Sequence, residues 1–93
     1  MSDWHDIGGG HEISFYVGDD DVTRIGLLDR HHKPDGTPCS TGSIMFDLPE
    51  NAHAPERSRW QLVNLEPLTL SPSLLCNLCT DHGFIREGRW VPA

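Results

Sequence analysis

Cys76-Asn77-Leu78-Cys79 is a C-x-x-C pair and His82 follows two residues after it, so seven consecutive residues offer two sulfurs and an imidazole. Spacing this short lets one tight turn converge its side chains on a single ion. Tetrahedral coordination still needs a donor from elsewhere. Cys39 is the only other cysteine and sits in a loop bounded by proline and glycine, the kind of backbone from which knuckle ligands project. The expected metal site is therefore Cys39, Cys76, Cys79 and His82, with His32 or His31, just upstream of Cys39, as the alternative fourth ligand. Asp81 is positioned to orient an imidazole from behind. A zinc ion with three thiolates and one imidazole would carry a net charge of about −1 and keep no vacant position, which makes the expected ion structural. The mixed sulfur and nitrogen donors suit zinc better than iron.

Other chemistry fits these residues less well. A thiol-exchange pair would need flanks of the Trp-Cys-Gly-Pro-Cys kind, whereas Leu75 precedes Cys76. Buried thiols acting as small hydrophobes are the structural alternative. A zinc deaminase needs H-x-E with P-C-x-x-C, but His11 and Glu12 are adjacent and no proline precedes Cys76. H-E-x-x-H, G-x-S-x-G, a phosphate loop and a dinucleotide fingerprint are all missing. Asp19-Asp20-Asp21 lacks the spaced donors of a calcium loop and reads as a solvated turn. His5, His11 and His53 read as surface residues.

The chain that must position these groups has 93 residues and a net charge of −7, enough for one domain. Leu, Ile, Val and Phe number only 22, so the hydrophobic core must be thin. The 9 glycines and 7 prolines imply frequent turns, and no run approaches the length of a membrane span. An odd cysteine count and a start without an apolar run disfavour secretion and a disulfide framework. The acidic balance disfavours phosphate backbones, for which Arg57, Arg59, Arg86 and Arg89 are the available local cations.

Residues 1–10, with Gly8-Gly9-Gly10, read as a flexible lead-in to a single domain over 11–93. Ile13 to Val17 and Val22 to Leu28 suggest a hairpin with a four-residue loop, Val17 opposite Val22 and Ile13 opposite Gly26. His31 to Cys39 is a reverse turn with a proline-set φ at Pro34. Ser43 to Leu48 is a short strand, Glu50 to Arg59 a surface connection, and Trp60 to Leu65 a central strand covered on both sides. Phe84 to Val91 is a hairpin turning at Glu87-Gly88, with Ile85 facing Trp90 and Arg86 beside Arg89. The expected fold is a small, mainly β domain, α+β being possible, built of antiparallel hairpins and stabilised by zinc in a zinc-ribbon-like manner.

Leu68-Thr69-Leu70-Ser71-Pro72-Ser73-Leu74-Leu75-Cys76, followed by Cys79, by His82-Gly83-Phe84-Ile85 and by Arg86-Glu87-Gly88-Arg89-Trp90-Val91, resembles the C-terminal signature of a domain-of-unknown-function family. Its members are small zinc-binding phage and bacterial proteins, and their pattern is an L-x-P-S stretch, a cysteine and C-x-x-H, then a hairpin ending in an aromatic residue. Gly36 to Cys39 and Gly42 to Phe46 resemble the family upstream, so the likeness spans about residues 35–93. It implies a phage-encoded accessory protein, in the host cytoplasm or on the virion. With the closed site, the acidic charge and Trp4 and Tyr16 as exposed aromatics, the expected role is non-enzymatic binding of a host factor or virion subunit. The alternatives are a nucleic-acid-binding ribbon and, third, a metal-dependent enzyme.

Overall fold

Alternation of inward apolar and outward polar side chains produces nine strands among the described residues: β1 (His5–Gly8), β2 (His11–Val17), β3 (Arg24–His31), β4 (Gly42–Phe46), β5 (Arg59–Leu65), β6 (Leu68–Ser71), β7 (Leu74–Leu75), β8 (His82–Arg86) and β9 (Arg89–Pro92). The computed structural model describes residues 3–33 and 35–93. The φ expected at Pro34 lies outside the described residues, as does the side chain of Arg57. β1 to β6 form a six-stranded sheet in sequence order, and β7, β8 and β9 a three-stranded one. All neighbours are antiparallel except β4 and β5, joined by a connection with two 3-10 turns, Pro49–Asn51 and Glu56–Ser58. The domain is small and mainly β, as expected, and no α-helix occurs among the described residues.

The large sheet curls, and the β8–β9 hairpin closes it by packing β8 against β6 and β9 against β1. The Gly88 N–H donates to Leu68 O at 2.8 Å and the Glu87 N–H to Thr69 Oγ1 at 3.0 Å, pinning the hairpin tip to β6. Inside lie Ile7, Ile13, Leu27, Ile44, Phe46, Leu68, Leu70, Leu74, Ile85 and Trp90, with Phe15, Leu48, Trp60 and Leu62 packed around them. Buried Asn51 fastens the β4 exit by donating to Ile25 O and Phe46 O, each at 2.8 Å. Ile85 faces Trp90 and Arg86 pairs with Arg89, as the hairpin signal requires.

Four expectations are corrected. Order begins before His11, because β1 pairs with β2 and buries Ile7. The first long hairpin places Gly26 opposite Tyr16, and Val17 opposite Arg24, not Val22. Its loop is longer because the Asp20 carboxylate accepts the N–H groups of Val22 and Thr23 at 2.9 and 2.8 Å, holding these residues in the turn. β5 is central in pairing but not covered on both sides, with Val63 57% exposed, because β4 pairs only with Arg59 and Trp60 and the rest of β5 pairs with β6 alone. Glu50 to Arg59 is not wholly at the surface, since Asn51 and Ala54 are buried. Trp4 is half-buried with the Arg30 guanidinium 3.9 Å above its ring, and Tyr16 is half-buried with its hydroxyl 3.3 Å from Ile44 O.

Trp90 wedges between β8 and the Gly8-Gly9-Gly10 turn, and a Cβ at Gly83 would overlap both its indole and the Val91 carbonyl. Gly83→Ala is therefore expected to lower stability by about 1–3 kcal/mol, the usual range for an overpacked core. Urea unfolding measures it, and an unchanged midpoint would show that the indole can step aside.

Candidate metal centre

The inward face of β2 and β3 changes character along its length. Phe15 pairs with Leu27 at the apolar end, Ile13 with Asp29 in the middle, and His11 with His31 at the far end. Strand alternation thus delivers His11, Asp29 and His31 to one face, all buried. Beyond His31 the chain doubles back: Lys33 N–H donates to Thr37 O at 2.8 Å, and the Asp35 carboxylate takes the Thr37 N–H at 2.9 Å. The return brings Cys39 beside His31, its N–H on His31 O at 2.9 Å. Opposite them stands the turn between β7 and β8, closed by Cys76 N–H to Asp81 O at 2.9 Å and Thr80 N–H to Cys76 O at 2.8 Å, with Thr80 at φ 63°.

These two turns bring four donors together. One atom from each of His31, Cys39, Cys76 and Cys79 lies within 4.8 Å of the others. Cys39 Sγ is 3.7 Å from Cys76 Sγ, and His31 Nε2 is 3.2 Å from Cys79 Sγ. A tetrahedral ion with metal–sulfur bonds of about 2.3 Å would separate its sulfurs by about 3.8 Å and its sulfur and nitrogen by about 3.6 Å. The residues present fit such an ion. This small β fold with a His/Cys cluster is zinc-ribbon-like in that sense.

The three cysteines stand together, but the structure brings His31 to them, and neither His82 nor His32. His82 already belongs to β8, where it pairs with Leu75 on the exposed face and reaches Ser73 Oγ at 2.8 Å. The knuckle has closed at Asp81, so the next residue resumes strand geometry and points away. His32 follows His31 in extended chain, so it faces the other side and is exposed. Asp81 does meet an imidazole, that of His11, whose Nε2 lies 2.6 Å from Asp81 Oδ2. His11 is 1% exposed, which corrects its reading as a surface residue. The signal was present in the inward register of His11-x-Ile13-x-Phe15 and Leu27-x-Asp29-x-His31. Arg59 lies 3.4 Å from Asp47, whereas Arg86 stacks on Phe84.

Sulfur ionisation is coupled here. Burial resists a thiolate at Cys76, but the backbone N–H groups of Cys79 and Leu78, with the sulfurs of Cys79 and Cys39, outweigh it and bring the group down to about 6. At Cys79 the Asp81 N–H favours the thiolate, yet desolvation and the neighbouring sulfurs prevail and push the group up. A central cation removes that conflict.

Behind the cluster, Trp90, His11 and His31 form a column, with centroid spacings of 3.7 Å for Trp90 to His11 and 4.7 Å for His11 to His31. His11 Nδ1 lies 3.0 Å from Asp29 Oδ1 while Nε2 meets Asp81, so both nitrogens face carboxylates, an arrangement that favours the protonated ring. A second trio, His11, Asp29 and His31, also has donor atoms within 4.8 Å of one another. Both His11 nitrogens are already engaged by carboxylates, so this trio serves as support for the first group. The buried His31 Nδ1 has no hydrogen-bond partner among the described residues, although an Asp29 carboxylate oxygen lies within 4.8 Å of one of the ring nitrogens. No family model, no curated protein and no solved structure matches this chain.

Burial disfavours the charged form of His11, but hydrogen bonds and charge from Asp29 and Asp81 prevail and raise its pKa above 6.5. The stabilisation it lends is fully present below 6.5 and is lost as the pH rises through the raised folded value. An NMR titration should find the His11 midpoint above 6.5, falling in Asp29→Asn. A midpoint at or below 6.5 in the unaltered protein would contradict the double pairing.

Proposed function

We propose that this chain is a non-enzymatic, zinc-stabilised accessory module that acts by binding another protein. The observation supporting this reading is the donor set itself: His31, Cys39, Cys76 and Cys79 supply four ligands at tetrahedral spacing, leaving no vertex for water or substrate. Zinc is the ion of choice because three thiolates and one imidazole match it and ask for no redox change. The ion ties the His31–Cys39 turn to the knuckle across more than a third of the chain. No helix among the described residues is long and apolar enough to cross a membrane. The phage origin implied by the C-terminal signature is part of the same proposal.

Protein purified without chelator should contain one zinc per chain by elemental analysis. Replacing Cys39, Cys76 or Cys79 by serine, or His31 by alanine, should lower that content at least tenfold, while His82→Ala and His32→Ala retain it. Cobalt substitution should show the intense thiolate bands of a tetrahedral site, which the His31→Ala protein loses. Full zinc content in Cys76→Ser would refute the assigned ligands.

Metal removal tests the structural role. Apparent zinc binding of about 10–16 kcal/mol in finger peptides exceeds or matches the stability of many domains, about 5–15 kcal/mol. A strong chelator should therefore collapse the amide dispersion of the folded spectrum, and zinc should restore it. An unchanged melting curve in the metal-free protein would argue against a structural ion.

A further inference from the structure

An apolar cleft of about 300 Å³ lies beside the knuckle, walled by Ile44, Trp60 and Leu74 and rimmed by Leu75 and Leu78. The rim leucines are unusually exposed, at 57% and 67%. The opposite wall holds Asp29 and Asp81, with His11 between them. That wall thus presents two carboxylates around a single imidazole. Asp29 directs both oxygens toward His11, whereas only Oδ2 of Asp81 is engaged, and the other oxygen has no hydrogen-bond partner among the described residues. The Asp81 side chain is 32% exposed, so that oxygen can be reached.

We infer that this cleft is a docking site for an arginine side chain displayed by a protein partner, Asp81 taking the guanidinium and Trp60 flanking its plane. This rests on the proposed protein-binding role and names the partner's chemistry. Charge complementarity with these carboxylates favours a cation, and the apolar lining favours one that is weakly hydrated. A flat guanidinium can lie along an indole and still direct its fork at a carboxylate, which a compact ammonium cannot do as well. The chain already uses this chemistry internally, with Arg24 over Phe15, Arg30 over Trp4 and Arg86 over Phe84. Trp60 carries no such cation among the described residues. Leu75 and Leu78 then meet apolar residues on either side of the arginine, so the occupant is a peptide segment, with free arginine too small to reach both.

The test uses the purified protein, its metal content measured on the same sample, and acetyl-Leu-Arg-Leu-amide followed by NMR. Saturable shifts at Trp60, Leu78 and Asp81 are expected. The citrulline peptide, which lacks only the charge, should bind at least tenfold more weakly, the lysine peptide several-fold more weakly, and acetyl-arginine-amide more weakly than the tripeptide. Leu78→Ser, an exposed change outside the donor set, should weaken the tripeptide severalfold with zinc content unchanged. Equal binding of the arginine and citrulline peptides, or no shifts from either, would overturn the site. If that happened in fully zinc-loaded protein, the structural ion would stand and only the arginine site would fall. Binding by a sample without zinc would instead overturn the metal reading and leave this one intact.

Discussion

Three sulfurs and an imidazole held within 4.8 Å of one another impose the constraint on which the rest of the molecule depends. Two thiolates at the 3.7 Å separating Cys39 from Cys76 would repel by about 4 kcal/mol at an effective dielectric of about 20. That is comparable to the whole stability of a small domain, about 5–15 kcal/mol. The opposite tendencies of Cys76, brought down to about 6, and Cys79, pushed up, express that repulsion in one pair of residues. With a divalent ion at the centre the same closeness becomes favourable. The turn after β3 and the knuckle before β8 then become one rigid unit, although 37 residues separate Cys39 from Cys76.

This constraint explains why the curled sheet tolerates so polar an end. His11, Asp29 and His31 occupy inward positions that in the other half of β2 and β3 hold Phe15 and Leu27. Buried polar groups are costly unless paired, and here the His11 imidazole between two carboxylates has both of its nitrogens satisfied. The Asp81 contact also fastens the knuckle to the face of β2, because Asp81 closes the knuckle through its carbonyl and grips His11 through its carboxylate. Trp90 covers the far side of His11, so the hairpin that seals the sheet also seals the support of the donor cluster.

The cysteines were legible in the sequence because C-x-x-C spacing is a property of one turn, requiring no knowledge of the fold. The histidine was legible only as an alternative, because nearness along the chain favoured His82, whereas the partner is set by which face of a strand looks inward. His31 precedes Cys39 by one doubled-back turn, a relation that appears once Cys39 N–H is seen on His31 O. The same limit explains β1: Gly8-Gly9-Gly10 reads as slack, but positive φ at all three makes a turn that brings Ile7 into the core. The β8–β9 hairpin was legible to the residue pair because its turn chemistry is local. The β2–β3 register was not, since Asp20 sets the loop length through side-chain hydrogen bonds that compete with strand pairing.

A metal anchor also changes what the surface around it is free to do. In a knuckle held only by hydrophobic contact, residues such as Leu75 and Leu78 would have to turn inward to secure the loop. Here the backbone closure of the turn and its two donor sulfurs do that work, and both leucines face outward on a segment of fixed shape. A recognition surface on such a segment loses little conformational freedom on binding, so more of its contact energy is expressed as affinity. With an ion bound, stability and recognition would be separated by chemistry: the sulfurs and His31 would hold the turn, leaving the side chains between and before them free for contact.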